Sequence, residues 1–232
     1  MATVTATRLR AAGLALWGLV LLRAFADGRL ALLLRDVFHP LVNLAGMVLL
    51  MLAVGLLLPL GRQSATIGPA QRRDWLTLAA STLIALLLVL LPPNPSFADL
   101  AQQRPVDDTA DADLTFVLPP AQRSLTDWVR LLRSQADPRL FSGEPASISG
   151  FVLPREDGQP LLARLLVRCC LADATPVGLA VRWPSDRPLP KRDQWLQIEG
   201  VMAVQAAPQG EELVLVPRRI QPIQRPRRPL EP

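Results

Sequence analysis

Histidine, cysteine and tyrosine are almost missing from this sequence. Its 232 residues include one histidine, two cysteines and no tyrosine. The histidine is His39, so the C-terminal half offers no histidine base for a serine or cysteine hydrolase. The two cysteines are neighbours, Cys169 and Cys170, and cannot build a disulfide framework because bridging sequence neighbours is strained. Paired CxxC motifs and glycine-rich phosphate loops are also missing. These absences argue against hydrolases, nucleotide-binding folds and disulfide scaffolds.

Charged residues are scarce too. They make up 19% of the chain, against about a quarter in soluble proteins, and 50% of the residues are hydrophobic. The apolar residues concentrate in long leucine runs within the first 92 positions. We therefore expect an α+β membrane protein in two parts, with a membrane domain at residues 1–92. The net charge of +5 suits contact with anionic lipid or with phosphate.

Three stretches of the first part predict transmembrane helices, near residues 9–26, 41–60 and 75–91. The central stretch carries no charge and has about the 20 residues that a helix needs to cross the hydrocarbon core. The third ends at Pro92–Pro93, which predicts a sharp exit. The first has basic residues at its start and could be a signal peptide, but no small-residue cleavage site clearly follows, so we expect an uncleaved helix.

The basic residues beside these spans predict their orientation, because basic loops stay in the cytoplasm. One side of the membrane receives five arginines and the other receives three: Arg8, Arg10, Arg62, Arg72 and Arg73 against Arg29, Arg35 and Arg104. This count places the N-terminus in the cytoplasm and the C-terminal domain outside it. His39–Pro40 opens the central span, where a histidine before a helix-starting proline needs no metal or proton role.

Residues 93–123 are rich in proline and aspartate and predict an extended, solvated linker. The aspartates lack the glycine and the closing glutamate of a calcium loop. The soluble domain is expected at residues 124–225, and the Pro/Arg-rich residues 226–232 are expected to be a disordered tail.

The sequence of the soluble domain predicts one leading helix and a small OB-like β-barrel. Ser124–Gln135 has apolar residues at helical spacing after a capping serine. Short β-type runs separated by Pro, Gly and Asp follow, and their number and spacing favour a compact Greek-key barrel over a two-sheet sandwich. The expected strands are Ile148–Leu153, Leu161–Cys169, Val177–Trp183, Trp195–Val204 and Glu212–Val216, with Ile220–Ile223 as a further candidate.

The Cys169–Cys170 segment is the chemically unusual part of this domain, and three interpretations of it stay open. On a regular strand, Cys169 faces the core and Cys170 lies exposed beside Arg168, which favours the reactive thiolate of Cys170. A turn or bulge would instead bring both sulfurs and the Asp173 carboxylate together as ligands for zinc or copper. In the third interpretation, both cysteines are small core residues and Asp173 only caps a turn.

The pattern Cys-Cys-x-Ala-Asp-Ala is specific enough to suggest a family. The segment resembles the signature of a bacterial and cyanobacterial membrane-protein family, described as permease subunits with a DUF1980-type C-terminal domain. The order of membrane helices, proline-rich exit and β domain is also similar, although this chain lacks the aromatic residue expected near the last strand. The matching residues are Gly150, Phe151, Val152, Arg164, Cys169, Cys170, Ala172, Asp173, Ala174, Pro176, Gly178, Trp195, Ile198 and Gly200.

The resemblance implies an accessory role in transport beside a separate multi-spanning permease, in settings linked to zinc supply. We therefore expect a non-enzymatic subunit that contacts membrane lipid and the permease, and that handles or senses cargo at Cys169, Cys170 and Asp173, with zinc as the candidate metal. A membrane-tethered thiol redox protein, in which Cys170 attacks and Cys169 resolves, is the first alternative. A purely structural interaction module is the second. No nucleic-acid partner is expected, because aromatic residues for base stacking make up only 5% of the chain.

Overall fold

The computed structural model describes residues 2–58, 72–91, 94–104, 118–135, 137–155, 159–207 and 210–231. The chain divides into two compact units, Met1–Asn94 and Pro95–Pro232. The second unit begins well before residue 124, where the sequence places the start of the soluble domain.

The described part of the N-terminal unit contains three α-helices, which cover nearly all described residues of the three predicted spans. They are α1 (Ala2–Ala26), α2 (His39–Leu57) and α3 (Arg72–Leu90). Pro40 lies in the first turn of α2, where its missing N–H leaves no helical hydrogen bond unmade. Short 3-10 helices at Arg29–Leu32 and Asp36–Phe38 connect α1 to α2.

Two of the described helical stretches are long and apolar enough to cross a membrane. They are Thr7–Ala26, with 20 residues, and Asp36–Leu57, with 22. The apolar part of α3, Trp75–Leu90, is shorter than the roughly 20 residues of a typical span. By length and composition, then, the described residues support two of the three predicted spans.

Small residues allow α1 and α2 to approach closely. A Cβ atom added to Gly18 would lie 2.9 Å from the carbonyl oxygen of Gly46, and one added to Gly46 would lie 3.0 Å from Leu22. Such contacts between small residues let helix backbones pack tightly in apolar surroundings. A hydrogen bond of 2.8 Å from the indole Nε1 of Trp17 to Ser81 Oγ joins α1 to α3.

Among its described residues, the C-terminal unit is built on one sheet of six strands. The five longer strands run in the order β3-β2-β1-β4-β5 with antiparallel neighbours, and β6 pairs parallel to β2. The strands are β1 (Pro145–Leu153), β2 (Leu161–Leu166), β3 (Thr175–Ala180), β4 (Trp195–Ala207), β5 (Gly210–Pro222) and β6 (Leu230–Glu231).

The sheet does not close into the predicted barrel. The edge strands β3 and β5 meet at a single parallel bridge, Val181 to Leu215, where the Arg182 N–H donates to the Leu215 carbonyl at 2.9 Å. Strand β3 has six residues and β5 has thirteen, so β3 is too short to pair along the whole of β5. The result is an open sheet whose two edges touch at one point.

Helix α5 (Leu125–Ser134) confirms the predicted leading helix. Its first turn carries a reciprocal cap, in which Ser124 Oγ accepts from the Asp127 N–H and the Asp127 carboxylate accepts from the Ser124 N–H. Its apolar side, including fully buried Trp128, packs with residues of all five long strands in one core cluster.

A second helix, α4 (Phe97–Gln102), lies inside the predicted linker and corrects that prediction. The Asp193 carboxylate accepts from the Phe97 and Ala98 N–H groups at 3.1 and 3.2 Å, so a distant residue caps the helix. Phe97 is fully buried, and its ring centroid lies 5.8 Å from that of Phe151 and 5.9 Å from that of Trp195. The acidic run of the linker lies outside the described residues.

The predicted disordered tail, residues 226–232, is also corrected. Leu230 and Glu231 form β6 beside Leu165 and Leu166, and the Val167 N–H donates to the Glu231 carbonyl at 2.9 Å. Composition alone favours disorder here, but the buried side chain of Arg164 on β2 supplies partners that hold this segment to the sheet.

Candidate metal centre

The two cysteines lie in a turn that the Asp173 side chain organises. Strand β2 ends at Leu166, and a 3-10 helix at Leu171–Asp173 leads into β3. One carboxylate oxygen of Asp173 accepts from the Arg168 N–H at 2.9 Å, and the other accepts from the Cys169 and Cys170 N–H groups at 2.8 and 3.2 Å. A carboxylate that collects three successive N–H groups replaces the strand ladder with a turn.

This turn makes the regular-strand prediction wrong for Cys169. The buried positions of β2 run without a break from Leu162 to Val167, and Arg168 and Cys169 are then exposed, whereas Cys170 is half-buried. Both cysteines are free thiols. The proposal that both are core residues therefore fails for Cys169, although Asp173 does cap the turn as that interpretation expected.

The turn brings together the three side chains of the metal interpretation. One atom each from the Cys169 thiol, the Cys170 thiol and the Asp173 carboxylate lie within 4.8 Å of one another. The Cys169 Sγ donates to Asp173 Oδ2 at 2.8 Å. Two sulfurs and one oxygen are ligands that zinc accepts, and three protein ligands leave the fourth position of a tetrahedral ion open.

The hydrogen bonds of the turn determine the protonation states of Asp173 and Cys169. Partial burial acts to raise the pKa of Asp173, but hydrogen bonds from the Cys169 thiol and from three backbone N–H groups outweigh burial and lower that pKa to about 2. The hydrogen bond to Asp173, and then the one to Cys170, raises the pKa of the Cys169 thiol to about 12. Near neutral pH, Asp173 is therefore ionised and Cys169 keeps its proton, so a metal ion must displace that proton.

Arg164 belongs to the sequence signature but lies in the interior. It is 7% exposed and its guanidinium carbon lies 4.9 Å from the Trp195 ring centroid. It donates to the Ser149 carbonyl at 2.9 Å, to Ser149 Oγ at 2.6 Å and to the Pro229 carbonyl at 3.2 Å, and its Nε lies 3.4 Å from Glu231 Oε1. Burial lowers the pKa of Arg164, and Glu231 opposes this shift. Arg164 thus ties β1, β2 and the tail together, and does not share an exposed face with Cys170.

Most other signature residues serve close packing. A Cβ atom on Gly150 would lie 2.7 Å from the Ala163 carbonyl oxygen, and one on Gly200 would lie 2.1 Å from the Val216 carbonyl oxygen, beside a register shift in the sheet. Ala174 and Pro176 are buried where the turn enters β3, and Gly178 packs against Leu161. Ala172 is exposed, and nothing in the structure explains its place in the pattern.

Helix α4 supports the turn, and sequence reasoning missed this contact. The Arg104 guanidinium donates to the Ala174 carbonyl. Phe97, Ala98 and Ala101 share a core cluster with Val167 and Ala174, the buried residues on either side of the turn, and Leu171 packs against the same cluster. Six helical residues inside a proline-rich segment give too little periodicity to reveal such a helix.

Comparison with known families finds a match in the C-terminal part of the chain. Residues 123–230 match the family model described as the DUF1980 C-terminal domain. No curated protein and no solved structure matches the chain. The part of the chain that holds the sheet, the Cys169–Cys170 turn and Arg164 is therefore similar to the DUF1980 C-terminal domain, as the sequence signature suggested.

Proposed function

We propose that the chain is a membrane-anchored accessory subunit of a multi-spanning permease, whose C-terminal domain handles or senses a thiophilic metal ion such as zinc. The observation that carries this proposal is the convergence of Cys169, Cys170 and Asp173 on one exposed turn. The permease partner is inferred from the family resemblance, and the metal cargo is inferred from the side chains of the turn.

The donor set suits an ion that is passed on. Structural zinc sites hold four protein ligands, whereas sites that exchange a ligand keep one position open. Cys169 is exposed, so an incoming ligand from a partner can reach an ion bound at the turn. Three ligands on a surface turn therefore support transfer or sensing better than permanent storage.

The backbone of the turn is also held in place by its flanking residues and by Asp173. Val167 before it and Ala174 after it are buried, at 3% and 1% exposure, and Asp173 already fixes the backbone of the residues between them. A site whose ligands are held before the ion arrives loses little conformational freedom on binding. Helix α4 shares a core cluster with the residues on either side of the turn, and Arg104 just after the helix donates to the Ala174 carbonyl. The helix begins six residues after Leu91 in the chain, so few residues separate it from the N-terminal unit.

Three further parts of the proposal concern architecture and location. The strand order and the parallel contact between the edge strands support an OB-like fold in its partly open form. Two helices long and apolar enough to cross a membrane support integration in a bacterial plasma membrane, and the third span of the proposal comes from the sequence. The distribution of arginines supports a cytoplasmic N-terminus and an extracytoplasmic C-terminal domain.

Thiol redox chemistry is the alternative that the two free thiols favour. Cys170 would be the attacking thiolate, since the raised pKa of Cys169 keeps its thiol protonated near neutral pH. A disulfide between neighbouring residues is strained and therefore easily reduced. A purely structural module is less well supported, because packing does not require an exposed Cys169.

Metal titration of the full chain in lipid nanodiscs, reduced and anaerobic, tests the metal site. We expect one zinc per chain, with loss of binding in the Cys169→Ser/Cys170→Ser double variant. Asp186→Asn is a matched control, because Asp186 is an exposed carboxylate away from the turn. Equal zinc binding by the double variant would contradict the site, and so would no binding by the folded wild-type chain.

Proton release gives a second test of the same site. Because the Cys169 thiol is protonated in the metal-free protein, zinc binding must release at least one proton near neutral pH. Calorimetry in two buffers of different ionisation enthalpy measures this number. We expect the affinity for zinc to rise roughly tenfold per pH unit from each released proton, and a pH-independent affinity would contradict the proposed ligand.

Affinity purification from native membranes tests the partner. The tagged chain should recover a multi-spanning membrane protein in constant ratio, and the double cysteine variant should recover it equally if the helices make the contact. Repeated recovery of the chain alone would overturn the subunit assignment while leaving the metal site intact.

A further inference from the structure

A crevice of about 330 Å³ lies between helix α5 and the edge strands β3 and β5 of the C-terminal unit. Its walls are the second half of α5, residues 178–180 of β3 and residues 211–213 of β5. Its volume is at the lower end of the range of about 300–1,000 Å³ that small-molecule sites occupy. None of the residues of the Cys169–Cys170 turn lines it, so the crevice is separate from the proposed metal site.

Aliphatic side chains from α5 and from both strands form the apolar part of the lining. Val129 and Leu132 come from α5, Leu179 from β3 and Leu213 from β5. All four belong to the core cluster of the domain or pack against it, so folding fixes their positions. They offer a surface on which a short aliphatic chain can pack.

Arg133 is the cationic residue of this crevice, and its hydrogen bonding is incomplete. Its Nη1 is buried and has no hydrogen-bond partner among the described residues. Arg133 lies in the last turn of α5, where the helix dipole favours a basic residue. The dipole does not explain a buried N–H group without an acceptor, which is rare in folded proteins. Arg133 can therefore accept a carboxylate from a ligand.

The two acidic residues of the lining differ in what they contact. Glu211 forms a bidentate pair with Arg139, so its charge is already balanced by a protein group. Glu212 forms no ion pair with another residue of the described part of the chain. The crevice thus offers a ligand one positive group, Arg133, and one negative group, Glu212.

From this combination we propose that the crevice binds a free α-amino acid with an aliphatic side chain. The α-carboxylate accepts from Arg133, the α-ammonium faces Glu212, and the side chain packs against the leucines and Val129. A ligand with one charge leaves one of the two protein groups unmatched, and a polyanion meets the carboxylate of Glu212. The site is independent of the proposed metal site and stands if that site fails.

Calorimetric titration of the full chain in lipid nanodiscs with L-leucine tests the crevice. We expect saturable binding of one L-leucine per chain. N-acetyl-L-leucine lacks the ammonium group and L-leucinamide lacks the carboxylate. Each should bind roughly tenfold more weakly or less, because each loses one hydrogen-bonded charge pair.

Two variants assign the protein groups. Arg133→Met keeps an apolar stem of similar length and should weaken L-leucine binding roughly tenfold or more, and Glu212→Gln should weaken it as well. The ligand-free Arg133→Met chain should be as stable as the wild type or more stable, because the variant removes an unpartnered buried N–H group. Arg187→Met, which changes an exposed arginine, should bind as the wild type does.

Three results would overturn the assignment. One is the absence of saturable binding up to millimolar L-leucine. Another is equal binding of N-acetyl-L-leucine or L-leucinamide, which would show that the crevice does not recognise an amino acid by both charges. The third is equal binding by the Arg133→Met variant, or a clear loss of ligand-free stability in that variant, which would make Arg133 a structural residue. Circular dichroism and thermal unfolding of each variant separate lost binding from a lost fold.

Discussion

Arg164 and the Cys169–Asp173 turn belong to one sequence signature and Arg164 lies five residues before Cys169, yet their surroundings are opposite. Arg164 is 7% exposed and has partners on β1, in the tail and on the Trp195 ring. Cys169 is exposed, and its thiol contacts residues of its own turn. The buried contacts of Arg164 explain why the fold needs an arginine there, whereas no packing contact explains an exposed cysteine at position 169.

This difference separates the signature residues that the fold needs from those that a chemical function needs. Buried groups such as Arg164 and Gly200 are fixed by what surrounds them, so their loss should appear as lost stability. An exposed thiol that packs against little should be dispensable for the fold, so its loss should appear as lost chemistry. Variants on the two sides of this comparison should therefore affect different measurements.

Replacing Arg164 should give the largest loss of stability. Arg164→Met removes the charge that faces Glu231 and leaves that partly buried carboxylate without a cationic partner, with only the hydrogen bond from Thr126, and breaking a buried ion pair typically costs about 3–5 kcal/mol. Chemical denaturation followed by tryptophan fluorescence measures this change. Arg187→Met is the control, because Arg187 pairs with Asp186 at the surface. Equal stability of the two variants would contradict the claim that the buried contacts of Arg164 stabilise the fold.

Gly200→Ala should come second. The added methyl group would lie 2.1 Å from the Val216 carbonyl oxygen, so β4 and β5 must separate locally, at a cost of about 1–3 kcal/mol. Gly55→Ala serves for comparison, since a Cβ atom there meets nothing within 4 Å. A neutral Gly200→Ala would mean that these strands do not approach as closely as described.

Asp173→Asn should have a smaller effect that depends on pH. The pKa of Asp173 is about 2 in the folded chain and about 3.9 in an unfolded one. Its ionised form therefore stabilises the fold above about pH 4, and this contribution is lost as the pH falls towards 2. The variant should show a shallower loss of stability over that interval, measured by unfolding at several pH values. Parallel curves for variant and wild type would show that the turn does not depend on the carboxylate.

The Cys169→Ser/Cys170→Ser variant should have the smallest effect on stability. Serine is close to cysteine in size, and the exposed Cys169 loses little packing, so the free energy of unfolding should change by less than about 1 kcal/mol. Thermal and chemical unfolding give the number, and zinc titration of the same sample should show no binding. A loss as large as that of Arg164→Met would place the cysteines among the structural residues.

Local patterns in the sequence were enough to predict helix α5 and the approximate positions of the five longer strands, although β5 was predicted as two separate runs and β6 was missed. The reciprocal cap of Ser124 and Asp127, and the short apolar runs between prolines and glycines, depend on neighbours in the chain. The missed features depend mainly on distant partners, and the local signal for α4, a Ser96 side chain that accepts from the Asp99 N–H, begins a helix of only six residues. Asp193 caps α4 from about 95 residues away, and Arg164 fixes a tail whose composition favours disorder.

The candidate site shows the same division. The residue types at Cys169, Cys170 and Asp173 allowed a metal site to be considered, but strand alternation placed Cys169 in the core. The end of β2 at Leu166 is set by three N–H groups that Asp173 captures, and spacing alone does not reveal this competition. Alternation along a strand holds only as far as its ladder continues.

X-ray absorption at the zinc edge of the zinc-loaded full chain tests the central claim most directly. We predict two sulfur ligands at about 2.3 Å and oxygen or nitrogen ligands at about 2.0–2.2 Å, with one of the latter exchangeable. The sulfur signal should disappear in Cys169→Ser/Cys170→Ser. Zinc surrounded only by oxygen and nitrogen in the wild-type chain would contradict the account, since the ion would then be bound away from the turn.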